Sequence, residues 1–175
     1  MIKYWFSLPE DRRKEIFNQT SQRARLPASS IEKDWWVTMV LRTVFKLDFS
    51  SQLVFKGGTS LSKGWNLINR FSEDIDFAIN MTFLGFNGEP TGKKITRLRK
   101  ASFSFTNVQL REALALRLRE DGFSGFEILP NEEKNTSADP HSLNLVYHSV
   151  TEKSEYLSPS VTSQLIWRKL KYFVS

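Results

Sequence analysis

The fold is decided by two neighbouring stretches, Phe55-Lys56-Gly57-Gly58-Thr59-Ser60-Leu61-Ser62-Lys63 and Arg70-Phe71-Ser72-Glu73-Asp74-Ile75-Asp76-Phe77-Ala78-Ile79. The first stretch predicts a short apolar strand over residues 53–56 that turns at a double glycine into a helix over 59–69. The second predicts a strand over 74–80, because apolar residues alternate there with Asp74, Asp76 and Ala78. The chain should therefore contain a strand, a tight turn into a helix, and a second strand that carries an Asp-x-Asp pair.

The double glycine is on its own usually only a tight turn, but such a turn also lets the backbone approach a ligand closely. Gly57 and Gly58 lack a Cβ atom, so the N–H groups of this turn can bind phosphate oxygens. The hydroxyls of Thr59 and Ser60 can donate to the same oxygens, or they can cap the helix that follows. Lys63, one helical turn later, could reach a triphosphate or could be a solvated helix charge. These five residues are the candidate nucleotide-binding residues of the turn.

The two aspartates on one face of an apolar strand indicate a cation. Aspartate is depleted in strands, and like charges at this spacing repel each other unless a cation lies between them. Carboxylate oxygens suit Mg²⁺, so Asp74 and Asp76 are the predicted magnesium ligands and catalytic residues. The alternative is a pair of exposed acids on an edge strand. Arg70 either neutralises phosphate charge or pairs with Glu73.

The composition is that of a folded protein with a mild excess of positive charge. The chain has 175 residues, the usual size of one domain, and Lys plus Arg exceed Asp plus Glu by 25 to 19. This balance favours a polyanionic partner such as RNA or a nucleotide, or it is ordinary solubility charge. The absence of cysteine excludes disulfides, Cys-ligated zinc and thiol catalysis. The first residues resemble neither a signal peptide nor a membrane span, so we expect a cytoplasmic protein without membrane contact.

Helices are predicted on both sides of the central stretches. A charged helix is expected over 9–25, because a proline and two acids stand at its start. A capping-box pattern, Ser29 with Glu32, should begin a second helix that runs to residue 47. Further along, a basic segment over 93–100 precedes a helix expected over 106–121.

The remaining segments predict strands. Strands are expected over 126–129 and 143–150, and residues 161–173 fit either a strand or a helix. Together these elements predict an α+β fold, a small mixed β-sheet flanked by helices. We expect a single domain over residues 1–175, with a helical part over 1–50 and a catalytic-type core over 51–175.

Three motifs of the chain resemble the AbiEii/AbiGii toxin family of nucleotidyltransferases, which are relatives of the DNA polymerase beta superfamily. The motifs are Ile31-Glu32-Lys33-Asp34-Trp35-Trp36 and the two stretches quoted above. The resemblance implies a nucleotidyltransferase fold and an enzyme that uses a nucleoside triphosphate (NTP). Such a protein is often the toxin of a toxin–antitoxin or abortive-infection system, with a cognate antitoxin as its partner.

The same resemblance assigns roles to particular residues. It implies that Gly58 and Ser60 contact the triphosphate and that Asp74 and Asp76 hold magnesium. Some family members add nucleotides to the 3′ end of tRNA, so the acceptor implied here is an RNA or a protein hydroxyl. Positioning and charge neutralisation, more than covalent protein chemistry, are what this reaction needs.

The chain departs from the family pattern at its third acid and at its C-terminus. The family places a third carboxylate on a later strand, where this chain has Gln164 within Pro159-Ser160-Val161-Thr162-Ser163-Gln164-Leu165. An amide can ligate or orient a group, but it cannot act as a base. Family members also continue into a helical region beyond Ser175, so the resemblance is to their N-terminal half. Two interpretations stay open: an active enzyme, or a truncated and impaired nucleotide- or partner-binding module.

Overall fold

The computed structural model describes residues 2–68, 73–130, 141–152, 154 and 156–169. Its helices are α1 (Ile2–Ser7), α2 (Glu10–Ala24), α3 (Ala28–Val44), α4 (Gly57–Thr59), α5 (Lys93–Ser104) and α6 (Arg111–Glu120). Its strands are β1 (Leu53–Lys56), β2 (Asp74–Asn80), β3 (Phe126–Pro130), β4 (His141–Tyr147) and β5 (Ser160–Arg168). A 3₁₀ turn, Ser50–Gln52, precedes β1, and π-helical turns continue α4 over Ser60–Gly64 and join α5 to α6 over Phe105–Leu110.

The five strands form one mixed sheet in the order β1-β2-β5-β4-β3. β2 and β5 are parallel neighbours, and the other three pairs are antiparallel. A parallel pair needs a connection that returns the chain to the same end of the sheet, and here α5, α6, β3 and β4 provide it. The expected α+β fold, with a small mixed sheet flanked by helices, is confirmed.

One face of the sheet forms the hydrophobic core with α3 and α6. Ile75, Phe77 and Ile79 of β2 are buried there, as the alternation along this strand predicts. Val37 and Val40 of α3 are completely buried in the same core. Because each fully buried side chain of this kind contributes roughly 1.5–3 kcal/mol, the apolar side of α3 fixes this helix against the sheet.

The start of α3 differs from the sequence prediction. The helix begins at Ala28, directly after Pro27, and no side chain caps it. The expected capping-box acid, Glu32, is buried and accepts hydrogen bonds from Ser149, Val150 and Thr151. The capping-box prediction is therefore wrong, because a tertiary partner takes the carboxylate that the local pattern assigned to the helix end.

The helix expected over 59–69 is also wrong at its end. The helical run that begins with α4 stops at Gly64, where the N–H of Trp65 donates to the Ser60 carbonyl. Asn66 then adopts a left-handed conformation with a φ of 52°, which is typical of the residue that terminates a helix. Residue 69 of the expected helix lies outside the described residues.

Three other elements change in length. The basic segment over 93–100 and the helix expected over 106–121 form one helical run, because the turn over Phe105–Leu110 joins α5 to α6. β4 ends at Tyr147, short of residue 150, because the next N–H, of His148, donates to the Gly125 carbonyl, and those of Val150 and Thr151 donate to Glu32. The segment left open between strand and helix is β5, a strand as far as Arg168. Residues 131–140 and 170–173 lie outside the described residues.

A partly buried ion pair joins the end of α6 to the turn after α3, and it yields a pH-dependent prediction. Lys46 Nζ lies 2.6 Å from Asp121 Oδ2. This hydrogen bond lowers the pKa of Asp121, with further help from the charges of Lys46, Arg117 and Arg42. Asp121→Asn should therefore lower the free energy of unfolding at pH 7 by about 0.5–1 kcal/mol, a value reduced by solvent screening of the pair.

Urea unfolding of both proteins across pH checks this prediction. Since folding lowers the pKa of Asp121, the pair stabilises the fold above the unfolded pKa of about 4, and this contribution is lost as the pH falls through the folded value. The difference between wild type and Asp121→Asn should shrink in that direction. Glu15→Gln, at an exposed pair with Arg12 on α2, is the control and should cost less. A difference that stays constant from pH 7 to below pH 4 would contradict the prediction.

Candidate active site at the end of β2

The two aspartates of β2 lie between β1 and β5. Asp76 pairs in register with Lys56 of β1 on one side and with Gln164 of β5 on the other, while Asp74 pairs with Thr162. Side chains at paired positions of adjacent strands share a face of the sheet. The face opposite the core therefore brings together two carboxylates, an amide, a hydroxyl and an ammonium group. Lys56 Nζ lies 3.8 Å from Asp76 Oδ1, so this charge is partly balanced within the protein.

The double-glycine turn lies directly against the carboxylate of Asp76. Gly57 has a φ of +74°, and a Cβ atom at this position would stand 2.1 Å from Asp76 Oδ2. Only glycine satisfies both the left-handed backbone and this close approach. Gly57 is exposed and Gly58 is half-buried, so the backbone of the turn is accessible from solvent. The turn and the Asp-x-Asp strand, read separately from the sequence, thus form one continuous site.

The hydroxyl residues of the turn are buried. Thr59 Oγ1 donates to the main-chain carbonyl of Asp74, and Thr59 is only 1% exposed. This hydrogen bond connects the turn to the first residue of β2, so the Thr59 side chain helps to fix the position of the turn relative to Asp74. Ser60 is buried beside it, at the start of the π-helical turn. Of the predicted turn residues, Gly57 and Gly58 are the more open to a ligand.

Lys63, one of the two predicted cations, is paired with α3 and not with Asp74 or Asp76. Lys63 Nζ lies 2.7 Å from Asp34 Oδ1 and donates to Thr38 Oγ1, so its ammonium group is bound to α3. Arg70 lies outside the described residues. The ion pair between Lys63 and Asp34 connects the helical run after β1 to α3, and the phosphate contact of Lys63 stays a prediction.

Lys33 is a residue that sequence reasoning missed. It is 5% exposed, and its Nζ lies 2.6 Å from Glu73 Oε2, next to the start of β2. A buried ammonium group is tolerated when it is paired, and this pair fixes the residue that precedes Asp74. The available signal was the motif Ile31-Glu32-Lys33-Asp34-Trp35-Trp36, in which three consecutive charged residues stand between apolar ones. In the sequence this motif contributed only to the family resemblance, because the residues around Lys33 do not show that Glu73 is its ion-pair partner.

Glu32, the neighbour of Lys33, organises the segment between β4 and β5. Its carboxylate accepts hydrogen bonds from the hydroxyls of Ser149 and Thr151 at 2.6 and 2.7 Å, and from the N–H of Val150 at 3.0 Å. The N–H of Thr151 lies 3.3 Å away and donates to the same group. A carboxylate with this many donors is well satisfied although it is buried. Glu32 therefore has a structural role at the edge of the site.

The pKa of Asp74 is raised above its ordinary value. Burial is the largest cause, the charge of Lys33 opposes it, and the negative charges of Glu73 and Asp76 add to it. The raised pKa reflects the cost of holding these negative charges close together in a partly desolvated site. A bound cation would favour the ionised carboxylates, so cation binding at this site should weaken as the pH falls.

The donor set of the site fits a hard divalent cation. Asp74 and Asp76 offer carboxylate oxygens, and the amide oxygen of Gln164 is a further oxygen donor in register with Asp76. Within the described ranges, no group of three or more His, Cys, Asp or Glu side chains is arranged to hold a metal ion. No helix in the described part of the chain is long and apolar enough to cross a membrane.

The fold and site define a class of protein, and a comparison with family models defines the family. A small mixed sheet that carries an Asp-x-Asp strand beside a glycine turn is a nucleotidyltransferase-like arrangement. The model of the family described as nucleotidyl transferase AbiEii toxin, of type IV toxin–antitoxin systems, matches residues 40–162. The chain belongs to this family of nucleotidyltransferase toxins. No curated protein and no solved structure gives a significant match to the chain.

A substitution at the glycine turn tests the close approach of the backbone to Asp76. Gly57→Ala should lower the free energy of unfolding by about 1 kcal/mol for the left-handed backbone, and by a further 1–3 kcal/mol, approximately, for the collision with the carboxylate. Gly88→Ala is the matched control, because Gly88 has the same φ of +74° and its nearest neighbour is the flexible end of Lys94 at 3.7 Å. Urea unfolding of both variants measures the difference. Equal losses in the two variants would show that the turn does not rest on Asp76.

Proposed function

We propose that this protein is a nucleotidyltransferase that binds a magnesium-bound NTP and transfers a nucleotide to a hydroxyl of an RNA, such as tRNA, or of a protein. In this proposal Asp74 and Asp76 hold Mg²⁺ and are the catalytic residues. The 57–60 turn binds the triphosphate through its backbone N–H groups. The observation that carries the proposal is the contact between this turn and Asp76, where even one Cβ atom would collide with the carboxylate. Family membership supports it.

The chemistry expected of the site is mostly charge neutralisation. When bound, a divalent ion supplies positive charge that stabilises the transferring phosphoryl group. The protein contributes the exposed backbone of Gly57 and the ammonium group of Lys56, which already lies beside Asp76. The helical run after the turn is short and ends at Gly64, so its helix dipole is small. The phosphate charge would therefore be stabilised mainly by the N–H groups of the turn.

The proposed reaction is a displacement at the α-phosphorus. The acceptor oxygen forms a bond to this phosphorus, the bond from the phosphorus to the bridging oxygen breaks, and pyrophosphate leaves with the electron pair. The proton of the acceptor hydroxyl passes to solvent, because the amide of Gln164 beside Asp76 cannot accept it. On this proposal the protein acts in the cytoplasm, where NTPs and tRNA are present, and a cognate antitoxin controls it.

Nucleotide binding and transfer can be tested with one pair of variants. Calorimetry with each of the four NTPs in the presence of Mg²⁺ should detect binding to the wild-type protein. Asp76→Asn should weaken this binding by at least about tenfold. Losing a residue that only hydrogen-bonds to a metal ligand typically costs that much, and Asp76 is proposed to be a ligand itself. Label transfer to tRNA and to protein should fall by at least about a hundredfold in the same variant, because charge stabilisation at the reacting group is removed.

Asp48→Asn is the matched control, because Asp48 is an exposed aspartate between α3 and β1. It should bind and transfer like the wild type. The proposal is wrong if the wild-type protein binds no magnesium-bound NTP, or if Asp76→Asn behaves like Asp48→Asn.

A second candidate function, nucleotide binding without transfer, is favoured by the position of Gln164. This amide pairs in register with Asp76, in the place where a carboxylate could take the acceptor proton. Under this candidate the wild-type protein binds a magnesium-bound NTP but transfers nothing. Gln164→Glu should then produce measurable label transfer, while Gln164→Ala should not. Any transfer by the wild-type protein would exclude this second function.

A further inference from the structure

The outer edge of β3 is open in the described part of the structure. The sheet ends at this strand, because the order β1-β2-β5-β4-β3 places no described strand beyond it. A sheet edge presents main-chain N–H and carbonyl groups with which another strand can pair. Asp74 and Asp76 are on β2, three strands away, so this edge lies outside the candidate active site.

The hydrogen bonds around β4 show which groups of β3 point outward. The N–H of His148 donates to the Gly125 carbonyl at 2.7 Å, so these residues form a hydrogen-bonded pair just before β3 begins. Hydrogen-bonded and non-hydrogen-bonded pairs alternate in an antiparallel ladder, so the next pair, Phe126 with Tyr147, should not be hydrogen-bonded. Indeed, the N–H of Tyr147 donates on the other side, to the Pro159 carbonyl. The main-chain groups of Phe126 therefore point away from β4.

The same alternation directs the main-chain groups of Ile128 and Pro130 outward. Proline has no N–H, and it is tolerated on an edge strand where the missing donor would point off the sheet. The outward N–H groups of β3 are therefore those of Phe126 and Ile128. A partner strand must offer an acceptor to both and must not need a donor from Pro130.

A second copy of β3, related to the first by a two-fold axis at Ile128, meets both conditions. Each Ile128 N–H would donate to the Ile128 carbonyl of the other copy, because residues at equal distances from the axis stand opposite each other. Each Phe126 N–H would donate to the Pro130 carbonyl of the other copy. Every outward N–H of β3 then has an acceptor, and the missing donor of Pro130 leaves only the Phe126 carbonyl to water.

A groove along the same edge carries charges of both signs. Its described lining, from α6 and β3, consists of Arg111, Glu112, Ala115, Leu116, Arg119, Glu127 and Ile128. Successive side chains of a strand point to opposite faces, so a groove that reaches both Glu127 and Ile128 lies at the edge of the sheet. The described ion pairs within α6 and its end are those of Arg117 with Glu120 and Asp121, so they leave the four charges of the groove out.

The groove side of α6 is self-complementary. Glu112, Leu116 and Arg119 are spaced by four and three residues, so they lie on one face of the helix. Leu116 between the two charges is 59% exposed. If two such helices lie antiparallel about a point between Ala115 and Leu116, each Glu112 stands opposite Arg119 of the other copy. The two leucines then lie side by side at the centre, as an interface with two-fold symmetry requires.

The strand register and the helix face share one axis. The Arg119 guanidinium lies 5.9 Å from the centre of the Phe126 ring, which aligns this end of α6 with the start of β3. From Phe126 to Ile128 the strand advances about 6.6 Å, and α6, joined to β3 by a short turn, covers this distance in the opposite direction with about four residues. Four residues before Arg119 is Ala115, at the centre of the exposed face. Two separate features thus place the two-fold axis at the same point.

We propose that a second copy of this chain docks on the outer edge of β3 and forms a symmetric dimer, in which one sheet continues across the two β3 strands and the two α6 helices lie side by side. A different protein could pair with the strand, but only a second copy explains why the charges on α6 complement themselves about the axis of the strand register. The interface is about 14 Å from β2, so it leaves the candidate active site open and does not depend on the proposed function.

Analytical ultracentrifugation over a range of protein concentrations tests this dimer. At high concentration the wild-type protein should have twice the mass of the 20.3 kDa chain. Glu112→Arg places arginines opposite each other, and Arg119→Glu places glutamates opposite each other. Each variant should raise the dissociation constant of the dimer at least about tenfold, because symmetry makes two attractive contacts repulsive.

The two charge-reversed variants together control for loss of fold. When they are mixed in equal amounts, the introduced arginine of one meets the introduced glutamate of the other, and the original Arg119 meets the original Glu112. The mixture should therefore dimerise within about threefold of the wild-type affinity, since attraction returns at both contacts. The double variant Glu112→Arg with Arg119→Glu should dimerise with itself for the same reason.

A third variant tests the centre of the interface. Leu116→Glu should weaken the dimer at least about tenfold, because it places two charges side by side at the axis. Leu26→Glu, at a leucine that is 42% exposed after α2, is the control and should dimerise like the wild type. Asp76→Asn should also dimerise like the wild type, so loss of nucleotide binding and loss of the dimer are distinguishable.

Three results would overturn the assignment. The first is a wild-type protein that stays a monomer up to about 100 μM, which would leave the edge to a strand from a different protein. The second is a dimer that neither charge reversal weakens, because another surface would then form it. The third is a mixture of the two charge-reversed variants that stays monomeric.

Discussion

Two adjacent charges buried on α3 hold together the end of the sheet on which the candidate site lies. Glu32 and Lys33 are 2% and 5% exposed, and removing such groups from water is tolerated only when each has a partner. Neighbouring residues of a helix point in different directions, so one turn of α3 reaches two separate segments. Glu32 binds the segment after β4, and Lys33 binds the residue before β2. The position of Asp74 and the path of the segment after β4 both depend on these contacts.

The parallel pairing of β2 with β5 decides what the aspartates have beside them. Its register places Gln164 next to Asp76 and Thr162 next to Asp74. A shift of one residue would turn Gln164 towards the core and bring a core residue to its place, so the buried residues of β5 also determine the polar ones. The chemistry of the site is thus linked to the packing of the core on the other side of the sheet.

Local pattern predicted the parts of the structure that depend on neighbours in the chain. β1, β2 and the glycine turn were all predicted, because alternation and glycine content report directly on backbone conformation. Local pattern failed where a distant group competed for the same atoms. Glu32 fits a capping box in sequence but binds the 149–151 segment in the structure, and the solvated charge considered for Lys63 is an ion pair with Asp34. In both cases the sequence shows a charged side chain but not its partner.

The sequence by itself determined that this chain has a strand entering a double glycine and a second strand with two aspartates on one face. These features follow from residue type and spacing over a few positions, so no long-range contact is needed to read them. Only the tertiary structure decided that Gly57 lies against Asp76, that Lys33 pairs with Glu73, and that Glu32 binds the segment after β4. Each of these contacts joins segments that are separated along the chain. These contacts depend on the strand order, the register and the packing of α3. The three form together when the chain folds, because the free energy of the whole core is lowest when they are mutually consistent.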